Sequence, residues 1–156
     1  MKKINWKTLI NALLIPVLTG ILSGVISMSS NGRYNELELP SFAPPGWLFP
    51  IVWTILYALM GLASYFIMIE PESQQKKDAL RLYYFQLAIN FFWPIIFFNL
   101  GNVTIAFWWL LVLLIVSVAT LIMFFKQDNR AGWFFLPYVI WLAFAAILNF
   151  GIMQLN

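Results

Sequence analysis

The sequence contains no cysteine and no histidine, and only 10% of its 156 residues are charged. Without cysteine there can be no disulfide framework, thiolate nucleophile, iron–sulfur cluster or thiolate zinc site. Without histidine the commonest general base, metal ligand and haem axial ligand are gone. The shortage of charge restricts the chain further. A soluble domain is typically about 25% charged because its surface must be hydrated, so neither a soluble globular domain nor a disordered chain fits. There is also no carboxylate pair, serine–base pair or phosphate-binding glycine loop, which removes the usual parts of hydrolytic and phosphoryl-transfer chemistry.

What is present is apolar and aromatic. Hydrophobic residues make up 62% of the chain, and 8 Trp, 15 Phe and 6 Tyr bring the aromatic share to 19%. The mean hydropathy is +0.83. A membrane-spanning helix uses about 20 residues, so this length supplies about five to seven spans and little else. Long charge-free runs place five of them, at about 9–28, 47–69, 82–100, 103–125 and 133–155. A charge at a helix centre costs roughly 2.5–3.5 kcal/mol on insertion scales, and all Lys, Arg, Asp and Glu residues fall at the ends or in the connections. Barrel strands would alternate polar and apolar residues, whereas residues 105–125 are apolar on every face. The expected fold class is therefore an all-α membrane protein. It forms a single domain over residues 1–156, a bundle of five transmembrane helices with an ordered outer loop at 29–45.

Cations mark the orientation. Lys2, Lys3, Lys7, Lys76, Lys77, Arg81, Lys126 and Arg130 fall on the side of the N-terminus, and Arg33 alone on the other. The positive-inside rule puts the N-terminus in the cytoplasm and the C-terminus outside, in what is expected to be a bacterial cell membrane. The net charge of +3 then reads as topology, with no nucleic-acid partner. The first apolar run is longer than a signal-peptide core and no Ala-x-Ala site follows it, so it reads as an uncleaved span. Pro40, Pro44 and Pro45 stiffen the loop at 29–45, which favours an ordered cover over the helix ends. Glu36, Glu38, Glu70, Glu72, Asp78 and Asp128 all lie outside the spans, which disfavours a proton-coupled exporter built on an intramembrane carboxylate.

Three spans carry stripes of mixed chemistry at helical spacing. Trp53 and Tyr57 are four apart, Gln86, Asn90 and Trp93 step by four and three, and Trp141, Ala145 and Asn149 step by four, with Tyr138 nearby. Trp6, Trp108, Trp109 and Trp133 lie near span ends and suit the lipid interface. Trp53, Trp93 and Trp141 sit six or more residues inside their spans and fit that role less well. An amide at this depth cannot face lipid without losing about 1–3 kcal/mol, so Asn90 and Asn149 should point into the bundle. Interhelical hydrogen bonding and the lining of a pocket both satisfy that requirement. Gly20 and Gly24, with Ser23 and Ser27 alongside, signal close packing either within the bundle or between chains.

The stretch LELPSFAPPGWLFPIVWTILYALMGLASY at 37–65 resembles the TspO/MBR family, the translocator or tryptophan-rich sensory proteins. The resemblance is carried by Pro40, Pro44, Pro45, Trp47, Pro50, Val52, Trp53, Leu56 and Tyr57. It continues in INFFWPIIFF at 89–98 and LPYVIWLAFAAILN at 136–149. It covers spans two to five in order, while span one is less diagnostic.

The resemblance implies a five-helix bundle, often a homodimer, with a pocket beneath the first loop. It implies binding of porphyrins, including protoporphyrin IX and other tetrapyrroles, and of isoquinoline and benzodiazepine ligands. Carried over by position, the pocket involves Tyr34, Trp47, Trp53, Asn90, Trp93, Trp141 and Ala145; Tyr57 and Asn149 join them from their spacing. No cofactor is required, and the porphyrin is a ligand. A flat macrocycle wants aromatic faces, each contact worth about 0.5–1.5 kcal/mol beyond area burial, and Arg33 is the one outer-side cation for its propionates. With no His or Cys to ligate iron, metal-free porphyrin should be preferred to haem.

The family's sterol motif has no counterpart here, since nothing basic follows Tyr138. A reversed version at Arg81, Tyr83 and Leu87 is a weak pattern. Three functions compete: tetrapyrrole sensing, regulation or transport; light-dependent porphyrin degradation through Trp53 and Trp141; and a structural membrane protein without a ligand.

Overall fold

The computed structural model describes residues 4–28 and 33–156. Residues 1–3, with Lys2 and Lys3, and residues 29–32 of the loop expected at 29–45 lie outside the described residues. The chain is all-helical, with no strand among the described residues. Helix α1 spans Trp6–Ser27, the single turn α2 Arg33–Glu36, α3 Leu48–Met68, α4 Gln74–Pro94, α5 Val103–Gln127 and α6 Asn129–Leu155. A π-helical turn, Ile95–Asn99, extends α4. Helices α1, α3, α5 and α6 are long and apolar enough to cross a membrane.

Helix α4 departs from the expected third span. It starts at Gln74, where the Ser73 hydroxyl accepts from the Lys76 N–H at 3.1 Å, rather than near residue 82. Its first two turns carry Lys76, Lys77, Asp78 and Arg81, so a search for charge-free runs sees only the second half. At the other end Pro94 has no N–H to continue the ladder. The Leu100 N–H reaches Ile95 O at 3.0 Å, a bond of π-helical spacing. Gly101, at φ +64°, then turns the chain into α5 in a conformation that suits glycine. Helix α6 starts at Asn129, four residues before the expected boundary, because Asp128 caps it.

Around the molecule the helices follow one another as α1, α3, α6, α5 and α4, with α1 touching α4 more lightly than it touches α3. The core is built from Met60, Tyr83, Leu110, Phe124, Phe135, Tyr138 and Leu142, all essentially inaccessible. Three pairs of polar groups are joined across helices within it. Asn90 Nδ2 donates to the Tyr57 hydroxyl at 3.1 Å, the Tyr138 hydroxyl to Gln86 Oε1 at 2.7 Å, and Asn149 Nδ2 to Val103 O at 2.9 Å. Both asparagines thus point inward, as their depth demands.

Trp6, Trp108 and Trp133 are exposed as interface residues should be. Trp109 is not: it is half-buried, and its indole donates to Ile89 O at 2.8 Å, tying α5 to α4. The glycine pair of α1 also resolves. Gly20 packs within the chain, against the Tyr57 ring, whereas Gly24 is exposed and borders a cavity.

The end of the molecule away from the loop gathers the described cations other than Arg33. The Asn5 N–H at the start of α1 donates to the Tyr65 hydroxyl at 3.2 Å, and the Arg130 guanidinium lies 4.4 Å over the Phe66 ring. Lys76 is buried there. Its ammonium donates to Met68 O and Glu70 O, both at 2.8 Å, and to Glu72 at 2.7 Å, capping the end of α3. Arg81 makes only an exposed pair with Asp78.

Three outcomes follow for this end and for the α1–α3 seam. Lys76→Ala should lower stability by about 1–3 kcal/mol, since it strands buried carbonyls, while Arg81→Ala should cost less than about 1 kcal/mol; thermal melts in detergent separate the two. Asp128 accepts from the Arg130 N–H at 2.7 Å, and the Arg130 guanidinium holds its carboxyl below the usual range. A depressed folded value means the contribution is complete above the ordinary carboxylate pKa and is lost as pH falls through the lower value. Asp128→Ala should therefore cost about 1 kcal/mol at neutral pH, with the gap to the parent closing in acid melts. Finally, a Cβ at Gly61 would lie 2.8 Å from Leu13 Cδ2 and 2.9 Å from Leu13 Cα. Gly61→Val should force the helices apart and destabilise by about 1–3 kcal/mol, whereas Gly24→Ala, with nothing within 4 Å, should be tolerated.

Candidate ligand-binding site

A cavity of about 1200 Å³ lies between α1, α3, α4 and the segment after α2. It is somewhat larger than the roughly 300–1,000 Å³ typical of small-molecule pockets. Tyr34, Trp47, Trp53, Tyr57, Asn90 and Trp93 all line it. Each is placed by a different local reason. Trp53 and Tyr57 are one turn apart on α3, with rings 5.6 Å apart and tilted by 34°. Asn90 sits opposite on α4 and is held by its bond to Tyr57. Trp93, one turn further, stacks on Phe97 of the π-helical turn at 5.3 Å and 25°.

The roof comes from the loop. Tyr34 on α2 is buried, its ring meets Phe49 edge-on at 5.2 Å, and its hydroxyl donates to Pro44 O at 3.0 Å. Burial pushes the Tyr34 phenol above its usual pKa, so it remains a neutral donor. Trp47 stands at the mouth and is 67% exposed.

The stripe on α6 lies elsewhere. Trp141 packs edge-on against Phe49 at 6.1 Å and, tilted by 42°, against Phe144 at 5.2 Å; Phe49 lines the cavity, and Trp141 backs it. Ala145 and Asn149 border a separate void of only about 10 Å³, bounded also by Tyr34, Phe49 and Trp93. That is about the space for one water. Spacing had put these three on one face correctly, but it could not say which neighbour that face meets.

Polar character in the cavity is sparse and specific. Asn90 Oδ1 and Trp93 Nε1 belong to residues of the wall but are themselves covered, and they have no hydrogen-bond partner among the described residues, as is also true of Trp141 Nε1 and Asn149 Oδ1 on α6. One is an acceptor and the other a donor, and leaving each unpaired costs about 1–3 kcal/mol. Arg33 is committed differently from the propionate role expected of it: its Nη1 donates to Phe98 O at 2.9 Å and to Asn99 O at 3.0 Å, strapping α2 to the end of α4.

Sequence reasoning overlooked α1. Val17, Ser23, Gly24 and Ser27 form one wall, yet α1 carries no deep aromatic or amide to draw attention. The small-residue spacing was the available signal. Phe49, the partner of both Tyr34 and Trp141, was also missed among 15 phenylalanines.

Comparison with known proteins agrees with this architecture. Residues 12–155 match the TspO/MBR family. The tryptophan-rich sensory protein of Cereibacter sphaeroides is 37% identical over 141 residues, 90% of this chain and 84% of that protein. The protein CrtK of Rhodobacter capsulatus is 36% identical over 129 residues, covering 82% and 81%. The translocator protein of Sus scrofa is 34% identical over 158 residues, covering 97% and 91%. With the family match running over nearly the whole chain, the aromatic cavity under a proline-rich loop is the cavity of a membrane protein that belongs to the TspO/MBR family.

Proposed function

We propose that this chain is a five-span integral membrane protein that binds a tetrapyrrole, protoporphyrin IX or a close relative, in the cavity beneath its first loop, and acts in tetrapyrrole sensing, regulation or transport. In this reading the second half of α4 with its π-helical turn is the fifth span. The cation-rich end faces the cytoplasm, following the positive-inside rule. The observation that carries the proposal is the composition of the cavity wall. Trp53, Tyr57 and Trp93 present aromatic faces around a space of about 1200 Å³, while Asn90 Oδ1 and Trp93 Nε1 are left without partners.

A planar macrocycle matches both features. Its faces offset-stack on indole and phenol rings, and its pyrrole N–H groups and ring nitrogens supply a donor and an acceptor to which the covered Asn90 Oδ1 and Trp93 Nε1 turn on binding. The propionates then lie toward the loop, where Trp47 offers an indole N–H at the mouth. Isoquinoline- and benzodiazepine-type ligands suit the same walls through the same stacking.

Titration of the purified protein with protoporphyrin IX in the dark, read by tryptophan quenching, should give saturable binding. Trp53→Phe should weaken it by roughly 2–10-fold, the equivalent of one lost aromatic contact. Asn90→Ala should weaken it by a similar factor through the lost hydrogen bond. Quenching that rises without saturation, or binding indifferent to both substitutions, contradicts the proposal.

A further inference from the structure

The walls of the cavity are not equally closed. On the loop side the cover is held at both ends. Arg33 donates to two carbonyls at the end of the π-helical turn. Further along, the Glu38 N–H donates to Asn156 Oδ1 at 3.0 Å, and Asn156 Nδ2 donates back to Glu38 O at 2.9 Å. Pro40 packs against Gly151 of α6, where a Cβ would lie 3.1 Å from the proline ring. The roof is therefore tied to α4, to α6 and to the residue beyond it.

The flank between α1 and α3 is different. These helices are in tight contact low down, where Gly61 admits the backbone of Leu13, and one level higher, where Gly20 admits the Tyr57 ring. One turn above Gly20 the contact stops: a Cβ on Gly24 would meet nothing within 4 Å. Above that point both facing edges are exposed although they line the cavity, Ile21, Gly24 and Val25 on α1 and Trp47, Pro50 and Thr54 on α3. From Gly20 to Ser27 is seven residues, about 10 Å of helix rise.

The rim of this gap is chemically quiet. The Thr54 hydroxyl donates to Pro50 O of its own helix at 2.7 Å, and Ser27 donates to Ser23 O at 2.9 Å. The Ser23 hydroxyl is turned away to Phe91 O of α4 at 3.0 Å. Each hydroxyl near the gap thus has its donor satisfied internally, so an apolar molecule can pass without stripping a polar group of its partner.

From this contrast we infer that ligands reach the cavity sideways from the bilayer, through a portal between α1 and α3 above the Gly20–Tyr57 contact, and not through the strapped loop. Gly24 is the residue that keeps the portal open. The inference rests on the cavity being the binding site. It narrows the ligand class to molecules that partition into the hydrocarbon before they bind.

The test is stopped-flow tryptophan quenching by protoporphyrin IX in proteoliposomes, comparing the parent with Gly24→Leu, Gly24→Phe and Asn156→Ala. Gly24 has open space beside it, so its variants should fold, and their thermal melts verify this. Association and dissociation should both slow with side-chain size, by about tenfold or more for Gly24→Phe, within the one to three decades over which such rates vary. Releasing the loop with Asn156→Ala should leave both rates at parental values. Unchanged rates in the Gly24 series, or faster exchange in Asn156→Ala alone, would overturn the portal and leave the cavity assignment standing. Weaker binding of Gly24→Phe at an unchanged association rate also overturns it, since the ring then fills the site and blocks no passage. A parent that binds without saturation overturns the cavity assignment and the portal together.

Discussion

Hydrocarbon offers no hydrogen bonds, and in a chain this apolar that constraint decides which way every helix faces. Each amide, phenol and hydroxyl within a span has to find its partner inside the protein. The structure meets much of the demand between helices: Asn90 with Tyr57, Tyr138 with Gln86, Asn149 with Val103 O, and Trp109 with Ile89 O. The hydroxyls of Thr19, Ser27, Thr54, Ser64 and Thr120 turn instead to carbonyls of their own helices. The bonds between helices set the rotation of α3, α4, α5 and α6 about their own axes. Generic packing of leucine and phenylalanine would leave those rotations loosely specified. Once they are set, Trp53 and Trp93 are carried onto the same space, and the aromatic wall follows from the polar pairing behind it.

The same constraint explains why the cavity lies on the α1 side. Helix α1 brings no phenol, its one amide, Asn11, is exposed near its start, and the hydroxyls of Thr19, Ser23 and Ser27 are satisfied by its own carbonyls or by Phe91 O. It is attached to α3 by shape, through Gly61 and Gly20, and parts from it where the shape match ends at Gly24. Near its upper end the hydrogen bonds of α1 go to Phe91 O and Asn99 and, among the described residues, none to α3, so a gap opens on the α3 side. The loop then crosses the top, held by Arg33, by Pro40 against Gly151 and by the Glu38–Asn156 pair. The strap and the gap are two sides of one arrangement, in which the loop end is tied down while the membrane flank stays open.

Much of this was legible in the sequence, for physical reasons that differ from element to element. Helices α1, α3, α5 and α6 announce themselves because charge is excluded from all but their ends. The inward direction of Asn90 and Asn149 follows from their depth alone. The start of α4 was not legible, because its first two turns stand clear of the apolar run and carry charge on a helix that continues into it. The π-helical turn depends on Pro94 and on how the chain must reach Gly101, which no hydrophobic pattern reports. Spacing placed Trp141, Ala145 and Asn149 on one face but could not reveal that Phe49 stands between Trp141 and the cavity. The wall supplied by α1 escaped notice because small residues mark a close approach or an open space equally well. Gly20 turns out to be the first and Gly24 the second.

The central claim, that a tetrapyrrole lies among Trp53, Tyr57, Asn90 and Trp93, is tested most directly by determining the structure of the protein with protoporphyrin IX in a lipid environment. The account predicts density for the macrocycle inside the cavity, stacked on Trp53, with a ring nitrogen near Asn90 Oδ1 or Trp93 Nε1. A macrocycle lying only on the outer, lipid-facing surface of the helices, with Asn90 and Trp93 unengaged, would contradict it.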